Sequence, residues 1–133
     1  MFELHPQLKK DTFFIKDLKL CQVLLMNNTF YPWLILVPKK PEIIEIIDLS
    51  KEEQTLLMEE ISLMSAVLKI QFSPDKLNIA ALGNIVPQLH IHIIARFKND
   101  ISFPNPVWCN KDTKPYNDDD LKKVIGLLKD TTN

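Results

Sequence analysis

The most informative part of the sequence is VPQLHIHIIAR, residues 86–96, in which two of the chain's three histidines stand two positions apart among bulky apolar residues. Successive side chains of a β-strand point to opposite faces. Gln88, His90 and His92 are therefore predicted to share one face, while the intervening apolar residues line the other. The same alternation is typical of any strand with one solvent-exposed face. The spacing alone leaves open whether the imidazoles form a site or an ordinary exposed surface.

The composition is that of one folded domain with little net charge. With 133 residues, 46% of them hydrophobic, the chain can bury one adequate core, so we expect a single domain over residues 1–133. Sixteen basic residues oppose seventeen acidic ones. This balance argues against nucleic acid or an anionic membrane as a partner. Arg96, the only arginine, suits phosphate recognition, but a lone surface arginine is the simpler interpretation.

The two cysteines and the amino terminus indicate the compartment. Cys21 and Cys109 have no metal-type spacing and form no disulfide framework. The amino-terminal MFELHPQLKKDTFF lacks the basic-then-apolar pattern of a secretion signal, and no apolar run approaches the ~20 residues that a membrane helix needs. We therefore expect a soluble cytoplasmic protein in a reducing compartment.

Four segments of the chain are predicted to be strands. CQVLLMN (21–27) and WLILVP (33–38) are short apolar runs on either side of NTFYP, which indicates a hairpin of two buried strands. KLNIAAL (76–82) and QLHIHIIAR (88–96) are separated by a turn that begins at Gly83, and this short connection predicts an antiparallel pair.

The segment from 50 to 71 is the clearest helix in the sequence. Ser50 is placed to cap it, Glu53 completes a capping box, and leucine, methionine and valine recur near helical spacing, as in a helix that packs on a sheet. DLKKVIGLLKD (120–130) predicts a short carboxyl-terminal helix, after a stretch rich in Pro, Asn and Asp. The sequence thus predicts an α+β fold, in which an antiparallel sheet of about five strands carries one main helix and a short carboxyl-terminal helix.

The histidine pair admits two chemical interpretations besides an exposed face. A metal site needs more ligands than two imidazoles, and His5 is the only other histidine, although carboxylates can complete such a set. A nucleophile site makes better physical sense, because a neutral imidazole attacks phosphorus and leaves again from the phosphoramidate. His92 and Gln88 would then donate hydrogen bonds to the phosphoryl oxygens.

QLHIHII, residues 88–94, resembles the signature of the histidine-triad (HIT) superfamily, His-φ-His-φ-His-φ-φ with φ an apolar residue, except that Gln88 replaces the first histidine. The hairpin, the capped helix, LNIAAL and LGNIVPQ follow the family's order over about residues 13–96, which leaves an extension over about residues 97–133. Among HIT proteins, the chain looks most like the bacterial ones that resemble diadenosine polyphosphate hydrolases. The resemblance implies a HIT-like fold.

The resemblance also implies roles for individual residues. His90 matches the nucleophile, and His92 matches the last histidine of the triad, which binds and orients the phosphate. Asn27 matches a position that holds the ribose hydroxyls, and the neighbouring Met26 would border the same cleft. Asn84 matches a polar position that contacts phosphate. From the residues alone, turn chemistry is the simpler explanation of both asparagines.

Further expectations concern partners and the carboxyl-terminal extension. Members of the family typically bind a purine nucleotide in an apolar cleft, require no metal or other cofactor, and form homodimers through the main helix and an edge strand. The segment after the motif often approaches the active site of its own or the partner subunit. Trp108 is therefore expected either to border the cleft or to pack on its own subunit, and deletion of residues 104–133 is expected to alter substrate preference more than folding.

Two functions follow from the resemblance, and a third does not need it. The first is a hydrolase or transferase that acts on nucleotide conjugates, similar to diadenosine polyphosphates or to nucleoside phosphoramidates, through a nucleotidyl-histidine intermediate. The second is a nucleotide-binding regulatory protein with weak or no catalysis, which gains support because Gln88 cannot carry a proton. PKKPEII also lacks a histidine that many relatives have after the second hairpin strand. The third is a purely structural dimer.

Overall fold

One five-stranded antiparallel sheet, in the order β1-β2-β3-β5-β4, organises the computed structural model, which describes residues 1–129. The strands are β1 (Thr12–Asp17), β2 (Cys21–Met26), β3 (Trp33–Pro38), β4 (Lys76–Ala80) and β5 (Ile91–Arg96). The helices are α1 (Pro6–Asp11), α2 (Lys51–Phe72) and α3 (Asp118–Lys129), with short 3₁₀ turns at Ile46–Asp48 and Val107–Cys109. The α+β class, the antiparallel sheet and both expected helices are confirmed.

The hairpin of β2 and β3 forms the centre of the sheet, as predicted. Val23 faces Leu36 and Leu25 faces Leu34 across the ladder, and every residue of β3 is buried. Burying each such aliphatic side chain contributes roughly 1.5–3 kcal/mol. The two runs of apolar residues therefore account for the position of this hairpin in the core.

The edge strand β1 and the short helix α1 were not located by the sequence patterns. In β1 the ladder to β2 is irregular between Phe14 and Lys16. Ile15 is buried there, whereas Phe14 is 54% exposed. A bulge of this kind interrupts the alternation of polar and apolar residues by which strands are recognised, so TFFIKD gave no clear strand signal.

Helix α2 begins with the capping box that its sequence predicts. The Ser50 hydroxyl accepts from the backbone N–H of Glu53, and the Glu53 carboxylate accepts from that of Ser50. Its apolar stripe packs on one face of the sheet, which confirms that the methionine and leucine side chains belong to the core. The buried residues of α2 are Leu57, Glu60, Ile61, Met64, Val67 and Leu68.

One buried residue of α2, Glu60, is a carboxylate with a structural role. Glu60 accepts hydrogen bonds from the backbone N–H groups of Leu20 (2.8 Å) and Cys21 (2.9 Å), which fixes the turn between β1 and β2 against the helix. Burial, and then the adjacent Glu60 charge, raise the pKa of the Cys21 thiol. Cys21 is therefore an inert core residue at neutral pH.

Strand β5 begins at Ile91, so the prediction that the strand starts at Gln88 is wrong. Ladder pairing with β3 ends at Leu36 opposite Ile91, close to Pro38, which has no N–H to donate. The backbone N–H of Leu89 instead bonds the carbonyl of Ile43 at 2.9 Å. Gln88 and His90 consequently lie in the segment that leads into the strand.

The remaining elements follow the sequence with small shifts. Strands β4 and β5 pair antiparallel as expected, but β4 ends at Ala80 rather than at residue 82. Gly83 has a φ of 68°, which its missing Cβ permits. The prediction of the last helix extended to Asp130, which lies outside the described residues. Within residues 1–129, no helix is both long enough and apolar enough to cross a membrane.

Candidate functional site

His90 and His92 lie side by side on the face of the sheet opposite α2. Their ring centroids are 4.9 Å apart, at an angle of 72°. His90 is 7% exposed and His92 is 5% exposed. The interpretation of the pair as the solvent-exposed face of an amphipathic strand is therefore wrong. The structure brings together two largely buried imidazoles, a placement that requires hydrogen-bonding partners.

His92 is held by Trp33, at the start of β3. The indole N–H of Trp33 donates to Nδ1 of His92 at 3.0 Å, so this bond assigns the imidazole proton to Nε2. Burial, and then the electrostatic effect of the adjacent His90 imidazole, lower the pKa of His92 to about 3. His92 is consequently a neutral imidazole at physiological pH, with an N–H donor at Nε2.

His90 has the opposite tautomer. Its Nδ1 lies 2.7 Å from the backbone carbonyl of Gln88. Because a carbonyl oxygen can only accept, Nδ1 carries a proton, and in the neutral tautomer Nε2 is the nitrogen that has the lone pair. The two adjacent imidazoles thus offer one nucleophilic nitrogen and one hydrogen-bond donor.

Trp108 covers His92 from the same chain. Its ring meets the His92 ring edge-on at 4.9 Å and the Trp33 ring at 5.6 Å. Trp108 nevertheless remains 42% exposed. The 3₁₀ turn at Val107–Cys109 positions it, with Val107 buried beneath. Trp108 therefore packs on its own chain and at the same time borders His92.

Arg96 is a buried structural residue, so both expectations for it, a surface arginine and a phosphate ligand, are wrong. It is 1% exposed, pairs with Asp100 at 2.9 Å and donates to Asn78 at 2.8 Å. Its guanidinium lies over the rings of Tyr31 and Phe103. Burial alone would raise the pKa of Asp100, but the hydrogen bonds from Arg96 and from nearby backbone N–H groups outweigh it and lower that pKa.

The other predicted binding residues lie at different places around the pair. Met26 is half-buried at the end of β2, and Asn84 is exposed in the connection between β4 and β5. Asn27 accepts a hydrogen bond from the backbone N–H of Tyr116 at 2.8 Å, so it ties the carboxyl-terminal segment to the hairpin. Burial, and then Asp120, raise the pKa of Tyr116 to about 12.

An apolar cluster covers the sheet face that carries the histidines. Its members come from β2, β3 and β5, from α1 and from the loops: Leu8, Leu24, Tyr31, Trp33, Ile35, Val37, Val86, Ile94 and Val107. Four half-buried side chains pack against it: Phe2, Leu4, Met26 and Phe30. These four provide apolar surface that is still partly open to solvent.

Gln88 uses its side-chain amide to hold the amino-terminal segment. Its oxygen accepts from the backbone N–H of His5 at 2.9 Å, and its nitrogen donates to the carbonyl of Glu3 at 2.9 Å. The imidazole of His5 accepts from the N–H of Gln7 and caps α1. Within residues 1–129, no three His, Cys, Asp or Glu side chains are grouped as a metal site would require.

Sequence reasoning did not identify Trp33 or the amino-terminal segment as parts of this site. Trp33 gave only one signal, an indole N–H in a run of otherwise wholly apolar residues, since a buried indole usually needs an acceptor. The contact between Gln88 and residues 3–5 spans more than eighty positions of the chain, and no local pattern encodes it.

Known proteins share the fold of this chain and much of its sequence. The model of the HIT domain family matches residues 7–99. The chain belongs to the HIT domain family. Histidine triad proteins of known structure from Bradyrhizobium japonicum (48% identity, TM-score 0.94, 96% of both chains covered) and Marinobacter aquaeolei VT8 (43%, 0.96, 98% and 96%) are similar over nearly their whole length.

A histidine triad protein from Sinorhizobium meliloti 1021 is likewise 39% identical, with a TM-score of 0.95 and with 98% of this chain and 96% of that chain covered. No curated protein matches the chain. HIT proteins are generally nucleotide-binding hydrolases or transferases. Membership of the family thus establishes the fold, and nucleotides are the general class of ligand in that family.

Proposed function

We propose that this HIT protein is a nucleotidyl hydrolase or transferase in which His90 forms a covalent intermediate with the nucleotide. The substrates are conjugates of a purine nucleotide, of the diadenosine polyphosphate or the nucleoside phosphoramidate type. The observation that carries the proposal is the 2.7 Å contact between Nδ1 of His90 and the Gln88 carbonyl, because it leaves Nε2 as the free lone pair.

The reaction proceeds by two displacements at one phosphorus atom. Nε2 of His90 forms a bond to phosphorus as the bond to the leaving group breaks, and the leaving group departs with the electron pair and takes a proton from water. Water or another acceptor then attacks the same phosphorus. The N–P bond breaks, its electron pair returns to Nε2, and the attacking oxygen loses its proton to solvent.

His92 supports this reaction as a neutral donor. The bond from Trp33 to Nδ1 directs the proton of His92 to Nε2, which can donate to a phosphoryl oxygen as negative charge develops there. In the protein without ligand, a pKa of about 3 makes His92 neutral at neutral pH. The neutral ring is therefore ready to donate this hydrogen bond before the substrate binds.

The nucleotide is proposed to lie along the partly open apolar surface of the histidine face. Met26 would contact the base and Asn27 the ribose, since Asn27 still has its side-chain NH₂ to donate. Asn84 would contact the phosphate, and Trp108 would close the cleft beside His92. Calorimetry with AMP, GMP, CMP and UMP tests this placement, because a cleft of this kind should favour the larger purines.

A nucleotide-binding protein with weak or no catalysis is the second candidate, and the Gln88 side chain favours it. Its amide is bonded to Glu3 and His5, so it supplies no proton to a leaving group. Turnover of adenosine 5′-phosphoramidate and diadenosine tetraphosphate distinguishes the two candidates. Release of AMP supports the enzyme, whereas tight AMP binding without release from either conjugate supports the binding protein.

We further propose that the chain works as a cytoplasmic homodimer of one HIT domain per subunit. The edge strand β4 exposes Ile79, and the outer face of α2 exposes Met58, Leu63 and Ile70, a set of apolar side chains that a second copy can cover. The two free cysteines fit a reducing compartment. A monomer in sedimentation at micromolar concentration would contradict the dimer.

A further inference from the structure

Gln88 makes a two-bond clamp on the amino-terminal segment. The side-chain amide donates to the carbonyl of Glu3 and accepts from the N–H of His5, the same pair of bonds that two β-strands exchange. A side-chain amide carries its N–H donor and its carbonyl acceptor on the same carbon, and both groups can face one neighbouring backbone. A neutral imidazole has them on separate ring nitrogens that point apart, so histidine at position 88 cannot make both bonds.

The clamped segment contributes apolar surface to the histidine face. Phe2 and Leu4 flank the clamped residues and pack, half-buried, on the same cluster as Met26. Leu4 alternates with Glu3 and His5, so the clamp holds the backbone while the apolar side chains face the sheet. This places one wall of the proposed nucleotide cleft on the first few residues of the chain.

The amino-terminal segment is packed against the protein on one side only. A cavity of about 530 Å³ lies against it, lined on one side by residues 3–6 and on the other by residues 42–44 and Gln88. The segment therefore lacks apolar support on that side, where the two bonds from Gln88 tie it to the rest of the chain. Removal of the amide should release residues 2–5 without disturbing the sheet.

The same residue also orients the proposed nucleophile. The Gln88 carbonyl accepts from Nδ1 of His90, while the next backbone N–H, that of Leu89, is bonded to Ile43. The backbone at this point is thus fixed independently of the side-chain amide. Loss of the amide should spare the orientation of His90 and affect only the amino-terminal wall.

We propose that Gln88 is a positioning residue that clamps residues 3–5 beside the histidines, and that the clamped segment binds the base of the nucleotide. This inference rests on the proposed function for its ligand. It assigns the glutamine to substrate binding instead of proton transfer. Its signature is an effect on KM and on nucleotide affinity with little effect on kcat.

The test compares Gln88→Met with a matched control, Gln54→Met. In the wild-type protein the side-chain amide of Gln54 also donates to a backbone carbonyl, but this residue lies on α2. With adenosine 5′-phosphoramidate as substrate, Gln88→Met should raise KM at least about tenfold and weaken AMP binding in proportion, with kcat within about threefold. Amide hydrogen exchange of residues 3–5 should accelerate in the same variant. Gln54→Met should change none of these quantities.

A second variant keeps the inference testable if Gln88→Met folds poorly. Phe2→Ser with Leu4→Ser leaves the clamp but removes the apolar wall, and it should raise KM and the AMP Kd to a similar extent. A fall in kcat at unchanged KM would place Gln88 in the chemical step and overturn the inference. Unchanged KM and Kd in both variants would also overturn it.

Different experimental results would contradict the proposed enzymatic function and the proposed clamp. If the wild-type protein binds AMP but turns over no conjugate, the enzymatic proposal fails, and the AMP Kd values of the variants still decide the clamp. If the wild-type protein hydrolyses the phosphoramidate and the variants match it, only the clamp fails. Absence of AMP binding by the wild-type protein would overturn both.

Discussion

Trp33 donates its indole N–H to Nδ1 of His92 across 3.0 Å, although 59 positions of sequence separate the two residues. The contact joins the first residue of β3 to the second residue of β5, two neighbouring strands of the sheet. A rigid donor on a buried strand thus determines which nitrogen of His92 carries the proton. In this respect the sheet controls the chemistry of the site.

Trp33→Phe should lower kcat/KM for adenosine 5′-phosphoramidate at least about tenfold. The aromatic packing is largely kept, but Nδ1 of His92 loses its donor, and the proton is no longer directed to Nε2. Steady-state kinetics at pH 7.5, with circular dichroism to verify the fold, is the measurement. Unchanged kcat/KM in a folded variant would show that the tautomer of His92 is irrelevant to turnover.

His92 should make stability fall on mild acidification. Its pKa is about 3 in the folded protein and near 6.5 in the unfolded chain, so between these values the unfolded state binds a proton that the folded state does not. The stabilisation is complete above pH 6.5 and decreases as pH falls towards 3. Urea denaturation should show a loss of about 2 kcal/mol between pH 7 and pH 5 from this residue.

His92→Asn is the control for this pH dependence. Asparagine can still accept from Trp33 but does not titrate, so the variant should lose less stability than the wild-type protein over the same pH interval. Equal losses in the two proteins would assign the acid sensitivity to other groups.

Arg96→Met should destabilise the fold by about 3–5 kcal/mol, because it leaves the Asp100 carboxylate without its buried partner. Lys40→Met is the matched control. It breaks the largely exposed pair with Glu53 and should cost less than about 1 kcal/mol. Urea denaturation of both variants measures the difference, and similar costs would contradict the structural role of Arg96.

Trp108→Ala should change the preference between conjugates more than it changes stability. Its ring lies against His92 and is 42% exposed, so a leaving group can contact it. The ratio of kcat/KM for adenosine 5′-phosphoramidate and diadenosine tetraphosphate is the measurement, and an unaltered ratio would reject the role. Deletion of residues 104–133 is a poorer test, because it also removes Val107 and Leu128 from the two cores.

Local patterns predicted much of the fold because its main elements have local causes. The alternation of apolar runs and turns located β2 and β3, and the capping box at Ser50 located the start of α2. The bulge in β1 removed the periodic signal there. Long, strongly patterned elements were thus visible in the sequence, whereas the irregular edge strand was not.

The histidine pair was also visible in the sequence, but its surroundings were not. Spacing placed His90 and His92 on one face, and the structure confirms that they lie together. The burial of Arg96 depends on Asp100 and on aromatic rings from two loops, and the position of Gln88 depends on residues near the amino terminus. Contacts between residues far apart in the sequence produce no periodic pattern, so they could not be predicted from it.

Mass spectrometry of the wild-type protein, quenched with alkali during turnover of adenosine 5′-phosphoramidate, tests most directly whether His90 is the nucleophile. We expect an acid-labile adenylyl adduct on the peptide that contains His90, and neither adduct nor turnover in His90→Asn, whose fold and AMP affinity should be largely retained. Full hydrolysis by His90→Asn in a preparation free of contaminating phosphatase, or an adduct on a different residue, would contradict the assignment of His90 as the nucleophile.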